Sequence, residues 1–344
     1  MTKALVTGGA GYFGDLLVRR LREAAYDVRI LDICKPEEPC AGVESIQGDI
    51  RDASVVALAC RGIDVVFHNV AQVPLAKDKR LFWSVNRDGT RTVLEACLAL
   101  NVRRVVYTST SAIYGVPKSN PVSEATQPAP REDYGRAKLA GESLCWEYAS
   151  RGLEVSIIRP RTIMGHGRLG IFQILFEWIY QGKNIPVLDD GKNIYQFIHA
   201  DDLAEACILA SKAQGGHAYN CGASRFGTMR EVLENLCRRA GTGSQVKSLA
   251  AWLVVPTMEV CSMLGLSPLG AYHSLMYGRS MYFDITKAQA ELQWMPKYSN
   301  DDMFIESYCW YLQNRDRVLA RSGDASRHRS AVKEGALRVL QMFL

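Results

Sequence analysis

The chain has 344 residues, 48% of them apolar and 22% charged, with a formal net charge of +5. That length and composition fit one large globular domain or two closely packed ones and exclude a disordered or low-complexity chain. Residues 315–344 hold seven Lys or Arg against three acids, so the rest is near neutral and no nucleic-acid partner is expected.

The ten cysteines are scattered, with no CxxC pair and no Cys/His group at ligand spacing. Reduced thiols, no bound metal and a cytoplasmic setting are the expectation. The first apolar run starts at residue 4, and no secretory signal is expected.

In chain order, Ala4-Leu5-Val6 is a predicted strand that runs into Thr7-Gly8-Gly9-Ala10-Gly11-Tyr12-Phe13-Gly14. A helix is predicted over 12–25, then a strand over 27–31 that ends on Asp32. Strand, glycine turn, helix, strand and acid is the order a dinucleotide site requires. Gly8 permits the tight turn, Gly11 lets the backbone approach a pyrophosphate, and Gly14 lets the helix pack close to the strand. The start of the helix offers free N–H groups to phosphate. A carboxylate at Asp32 accepts ribose hydroxyls and repels a 2′-phosphate. Ile33 and Cys34 offer that phosphate no charge and only Lys35 stands nearby. NAD is therefore expected rather than NADP.

Further strands are predicted at 64–68, 104–108 and 155–160, with a helix over 83–100 between the first two. Such alternation implies a parallel sheet with right-handed crossovers, which binds ligands at the carboxyl ends of its strands. The informative loops then follow Val6, Leu31, His68, Thr108 and Ile158. They hold Val70, Ala71 and Pro160 as cofactor candidates and Gln72 as a substrate candidate.

Tyr134 and Lys138 lie four apart on a predicted helix, on one face. A phenol of pKa ~10 is a poor base. A neighbouring ammonium and an oxidised nicotinamide favour the phenolate. Thr108, Ser109, Thr110 and Ser111 place hydroxyls at a strand end. A Tyr/Lys pair alone is an ordinary helix face; its order after the glycine turn and Asp32 gives it meaning. Beyond residue 160, helices are predicted over 171–181, 202–212 and 228–240, in a second lobe packed on the first.

With these motifs, together with Gly48-Asp49-Ile50-Arg51-Asp52, Val85-Asn86-Arg87-Asp88-Gly89-Thr90 and Tyr107 to Gly115, the chain resembles the extended short-chain dehydrogenase/reductases. That group is the NAD-dependent epimerase/dehydratase superfamily, and the resemblance covers residues 3–312. It implies an α/β fold: a Rossmann-type, doubly wound parallel sheet with a smaller C-terminal substrate-binding lobe. The expected division is an NAD-binding domain over 1–160, a mixed lobe over 161–312 with some strands returning to the main sheet, and a basic, amphipathic tail over 313–344. Tyr134 is then the acid/base, and Lys138 lowers its pKa and holds the nicotinamide ribose. Thr110 is the catalytic hydroxyl. Asp49 and Ile50 meet the adenine, and Asn86 is a cofactor-region residue or simply a helix-start residue. Tyr12, Phe13 and Thr108 complete the cofactor set. A homodimer through a four-helix interface that includes the Tyr134 helix is also implied.

The departures bear on substrate. Family members that eliminate water from nucleotide hexoses carry Asp-Glu where this chain has Ser111-Ala112, which sets 4,6-dehydratase chemistry aside. Sugar-nucleotide epimerases usually have Asn where Thr162 stands and Arg where Tyr195 stands, both of which serve a diphosphate. Arg161 and Arg168 are the available substitutes. The candidate substrate residues are thus Gln72, Ser111, Arg161, Thr162 and Tyr195. Residues 80–86 and 191–197 resemble the 3β-hydroxysteroid and sterol-4-carboxylate dehydrogenase branch. The apolar stretch 250–272 and the tail 332–344 suit a greasy entrance, a peripheral membrane contact or plain packing. His68, His166 and His199 have no acid or cysteine at useful spacing and are read as structural or pocket groups.

The expected activity is oxidation of a secondary alcohol or the reverse reduction, first on a hydrophobic 3β-hydroxy compound. Nucleotide-sugar epimerisation with retained NAD is the alternative, and a non-catalytic cofactor-binding protein the third reading.

Overall fold

The computed structural model describes residues 1–72, 79–168, 172–252, 254, 256 and 278–320. Seven strands form one parallel sheet: β1 (Lys3–Thr7), β2 (Asp27–Asp32), β3 (Glu44–Gln47), β4 (Val65–His68), β5 (Arg104–Thr108), β6 (Glu154–Pro160) and, from the later chain, β10 (Ala218–Cys221). Their spatial order is β10-β6-β5-β4-β1-β2-β3, and every pairing is parallel. Helices cover both faces, so the central strands read as nearly unbroken apolar runs. Alternate residues serve opposite layers. Ala4, Val6, Ile30 and Phe67 join α1 (Tyr12–Glu23) and a later helix, α7 (Ala200–Ala210), in one core. Leu5, Leu31, Val66 and Val105 join α2 (Ala53–Cys60), α4 (Thr90–Ala99) and α5 (Asp133–Ser150) in the other.

Short pairs build the second lobe. β7 (Thr162–Met164) pairs with β9 (Phe197–His199), and β8 (Ile185–Leu188) with β11 (Val246–Leu249). A third core, with Trp178, Leu233, Phe304 and Tyr311, joins α6 (Phe172–Tyr180), α8 (Met229–Ala240) and the long α10 (Asn300–Ala320). The chain crosses back more than once. β10 extends the main sheet, and α7 and α9 (Thr286–Leu292) pack in its first core.

Two differences from the sequence reading have clear causes. The helix expected over 83–100 begins earlier, at α3 (Lys79–Trp83), and opens into a π-turn at Ser84–Gly89 before α4. The wide turn brings both Asn86 and Gly89 to face inward. A Cβ on Gly89 would press on Ile50. The tail assigned to 313–344 begins as folded helix: Arg315 grips the Glu177 carboxylate of α6 with two donors, both at 2.8 Å. Residues 257–272 of the apolar stretch and 332–344 of the tail lie outside the described residues. Among the described residues, no helix is long and apolar enough to cross a membrane.

Candidate active site

The glycine turn closes at the carboxyl end of β1. Gly8 sits at φ +75°, where a side chain is strained, and a Cβ there would meet the Val70 backbone at 3.1 Å. A Cβ on Gly14 would drive into the Gly8 carbonyl. Helix α1 begins at Gly11 without a side-chain cap, whereas Asp52, Glu132 and Thr228 cap α2, α5 and α8. Its first N–H groups therefore suit a phosphate. Asp32 ends β2 beside them. Its Oδ2 accepts from Ala10 N–H at 3.0 Å and its Oδ1 from Cys34 N–H at 2.9 Å, which leaves lone pairs on both oxygens for ribose hydroxyls. Burial raises its pKa against those hydrogen bonds. This cradle fits a dinucleotide.

Asp49 is held by Arg51 and its pKa is lowered by that contact. Ile50 is buried behind it. Asn86 is buried, and its amide clasps the Gln72 backbone: it accepts from Gln72 N–H at 2.8 Å and donates to Gln72 O at 3.0 Å. Asn86 therefore fixes the Val70-Ala71-Gln72 strip that lies against Gly8. It does not cap a helix, because it stands inside the π-turn. His68 is a structural group at the root of this strip. It bonds Thr7 Oγ1 through Nδ1 at 2.7 Å and Thr90 Oγ1 through Nε2 at 3.0 Å. Thr90 already donates to Asn86 O at 2.9 Å, so the ring donates from Nε2 and is neutral. Burial, aided by Lys138, pushes its pKa down to about 3.

Thr110 ends the run beyond β5, where its Oγ1 accepts from Ala112 N–H at 3.2 Å, and its hydroxyl is near enough to Tyr134 to favour the phenolate. Glu132 starts α5 by accepting from Tyr134 N–H and Gly135 N–H, both at 2.7 Å, and Phe82 packs edge-on against the Tyr134 ring. The electrostatics differ from the sequence reading. Burial pushes Tyr134 up to about 12, and the opposing influences are the Thr110 hydroxyl and the Arg168 guanidinium. Lys138 is not among them. Its Nζ donates to Thr108 O at 2.6 Å and lies 4.2 Å from the Tyr107 ring centroid. Burial takes its pKa down to about 7. Thr108 Oγ1 in turn donates to Asn69 Oδ1 at 2.5 Å.

Position on α5 depends on a buried network that the sequence reading did not single out. Arg159 on β6 donates to Glu142 through Nε at 3.0 Å and Nη2 at 2.7 Å, and through Nη1 to Tyr114 Oη at 2.8 Å. Tyr114 donates onward to Asn220 of β10 at 2.9 Å. Glu142 follows Tyr134 and Lys138 at the same four-residue spacing, a signal present in the sequence.

On the substrate side, Arg161 donates through Nη1 to Ser111 Oγ at 3.0 Å and lies over the Tyr195 ring at 4.5 Å. The Thr162 and Tyr195 hydroxyls pair at 2.9 Å. The guanidinium above position 195 thus comes from residue 161. Pro160 is buried at the end of β6, in register with Cys221. Gln72 is held by Asn86, apart from that group. Arg168 faces Tyr12, Tyr134 and Tyr195, with no acid among the groups that shift its pKa, which burial lowers.

The remaining histidines have acidic partners, against the expectation. His166 Nε2 meets Asp201 Oδ2 at 2.8 Å, and His199 Nε2 meets Glu306 Oε2 at 2.8 Å. Asp201 follows His199 by two residues and Glu306 arrives from α10. His166, His199 and Glu306 have donor atoms within 4.8 Å of one another, and both rings are already hydrogen-bonded to carboxylates, with His199 Nδ1 also accepting from Asp201 N–H at 3.2 Å.

A turn that accommodates a dinucleotide, an acid at the end of β2, and a hydroxyl–phenol pair at the end of β5 define a nucleotide-dependent oxidoreductase class of the α/β type. The chain belongs to the NAD dependent epimerase/dehydratase family, whose model matches residues 4–222. It is 53% identical over 342 residues to the uncharacterized protein y4nG of Sinorhizobium fredii, spanning 99% of this chain and 86% of that protein. It is 32% identical over 231 residues to a 3beta-hydroxysteroid-dehydrogenase/decarboxylase of Arabidopsis thaliana, across 61% of this chain and 41% of that one. The UDP-glucuronic acid 4-epimerase of Bacillus cereus, solved with NAD, superposes with a TM-score of 0.73 at 26% identity, over 91% of this chain and 99% of that one.

Proposed function

We propose that this protein oxidises a secondary hydroxyl of a small anionic substrate to a ketone, or runs the reverse reduction. The observation that carries this reading is the Thr110 hydroxyl placed beside the Tyr134 phenol beyond the carboxyl end of β5, with β4 between that strand and the cradle strand β1. Gly8, Gly11, Gly14 and Asp32 would hold NAD, which supplies the hydride acceptor when bound. Thr110 orients the substrate oxygen. Tyr134 Oη takes the hydroxyl proton in the oxidation and returns it in the reduction. Lys138 braces the end of β5 through the Thr108 carbonyl, and Asn86 and His68 hold the neighbouring strip.

Arg161 and Arg168 shift the balance between the two substrate readings. Two cations without acid partners among the described residues suit an anionic substrate, which a nucleotide-linked sugar supplies and a neutral sterol does not. Epimerisation through a transient ketone is therefore the first finer reading, supported by the likeness to the UDP-glucuronic acid 4-epimerase. A hydrophobic 3β-hydroxy substrate is the second, in a form that carries a carboxylate. The likeness to the 3beta-hydroxysteroid-dehydrogenase/decarboxylase supports it. Both keep the same roles for Thr110, Tyr134 and Lys138.

Tyr134→Phe is the test. Turnover should fall about 10²–10⁴-fold while NAD binding, read by cofactor titration, stays within a small factor of wild type. Turnover that survives the change overturns the proton role. Nucleotide released on denaturing the purified protein separates the finer readings: NAD that does not exchange in the native protein supports epimerisation, and free exchange supports a dehydrogenase.

A further inference from the structure

Arg161 is 1% exposed, yet two of its three nitrogens have no partner among the described residues. Nη1 is bound to Ser111 Oγ, and the guanidinium lies against the rings of Tyr195 and Phe283, 4.5 Å and 5.6 Å from their centroids. The free atoms are Nε and Nη2. These two share one edge of the guanidinium, the edge that meets a carboxylate or phosphate through two parallel hydrogen bonds. The other buried arginines do not leave that edge open. Arg159 turns Nε and Nη2 onto Glu142, and Arg104 turns the same two atoms onto Glu154. A buried cation with unmet donors is costly, and an anion brought by a ligand relieves that cost.

We propose that the Nε/Nη2 edge of Arg161 is an oxyanion receptor, so that the substrate carries a phosphate or carboxylate group beside the reacting hydroxyl. Ser111, which anchors Nη1, follows Thr110 directly in the chain, so anion and hydroxyl are recognised by adjoining residues. This rests on the assignment of the reacting hydroxyl to Thr110 and Tyr134. The receptor selects by loss: a neutral analogue leaves both donors buried and unpaired, and such a site rejects it strongly.

The test uses the full chain loaded with NAD and reads binding without turnover, by calorimetry and by the shift in Tm. Arg161→Met and Arg161→Lys are compared with wild type. The probes are UDP and UDP-glucose for phosphate, a 3β-hydroxysteroid carboxylate for carboxylate, and its methyl ester as the neutral control. Wild type should bind one oxyanion class and not the ester. Arg161→Met should weaken that binding by about a hundredfold or more, with Arg161→Lys between the two. Ligand-free Arg161→Met should melt no lower than wild type, since it loses an unmet charge, and this shows that the fold survives. Selective weakening for UDP and UDP-glucose assigns phosphate, and for the steroid acid, carboxylate. Equal binding to wild type and Arg161→Met, or no binding of either oxyanion class to wild type, overturns the proposal. Because binding alone is read, a failure of the Tyr134 proton role leaves this result intact and distinguishable.

Discussion

Tyr134 shows how far one side chain depends on neighbours that sequence spacing does not reveal. The four-residue interval correctly places Tyr134 and Lys138 on one helix face, but it cannot show where a flexible ammonium goes. Lys138 donates to the Thr108 carbonyl, because a buried ammonium needs an acceptor and that carbonyl is at hand. Arg168, from a loop more than thirty residues downstream, favours the phenolate. Removing it should raise the Tyr134 pKa further. In Arg168→Met the rising limb of the rate–pH profile for oxidation should therefore move to higher pH, by about one unit for each 1.4 kcal/mol of lost interaction. A profile unchanged in position would show that Arg168 does not act on the phenol. Arg161 was legible as a cation out of place in its motif. Its free edge was not, since that requires knowing that Ser111 takes only one of its nitrogens.

At the scale of elements, the strands and helices that carry the site were the most readable. β1, β4, β5 and β6 are largely apolar runs buried on both faces, and β2 is an apolar strand marked by its closing Asp32. The short pairs of the second lobe were not readable, because a strand such as β9, at Phe197–His199, is too brief to show a period. The π-turn was also hidden, since one extra residue in a turn leaves the apolar pattern of the helix almost intact. The link between α5, β6 and β10 is a further element-level device. Glu142 and Arg159 are both buried, and each leaves a charge behind if the other is lost. Glu142→Gln should destabilise the protein by about 3–5 kcal/mol, measured by denaturant unfolding. The double variant Glu142→Gln with Arg159→Met should recover part of that loss. If the single change costs less than about 1 kcal/mol, the pair does not anchor the helix that presents Tyr134.

For the whole molecule, acid is the informative perturbation. His68 is buried and neutral, with a folded pKa of about 3 against ~6.5 when unfolded. The unfolded chain takes up a proton that the folded chain refuses, so stability is lost as pH falls from about 6.5 toward 3, by about 2 kcal/mol at pH 5. Asp201, held down to about 2 by desolvation-opposing contacts with His166 and Arg20, adds a loss that begins only below about pH 4. His166 has the opposite sign: its raised pKa stabilises the fold at low pH and is lost as pH rises through it. Unfolding midpoints measured from pH 7 to 4 should fall, and His68→Gln should flatten the part above pH 5. A slope that persists in His68→Gln would place the sensitivity elsewhere.

Tyr12 gives the fold one more property. Its ring stands at the first turn of α1, its hydroxyl donates to the Gly165 carbonyl just past β7, and Arg168 lies 5.7 Å from the ring centroid. One residue is thus shared by the glycine turn and the loop that carries Arg168. Order gained on either side through Tyr12 is gained on the other. Thermodynamic linkage makes such a coupling reciprocal: whatever the first ligand does to the affinity for the second, the second does to the first.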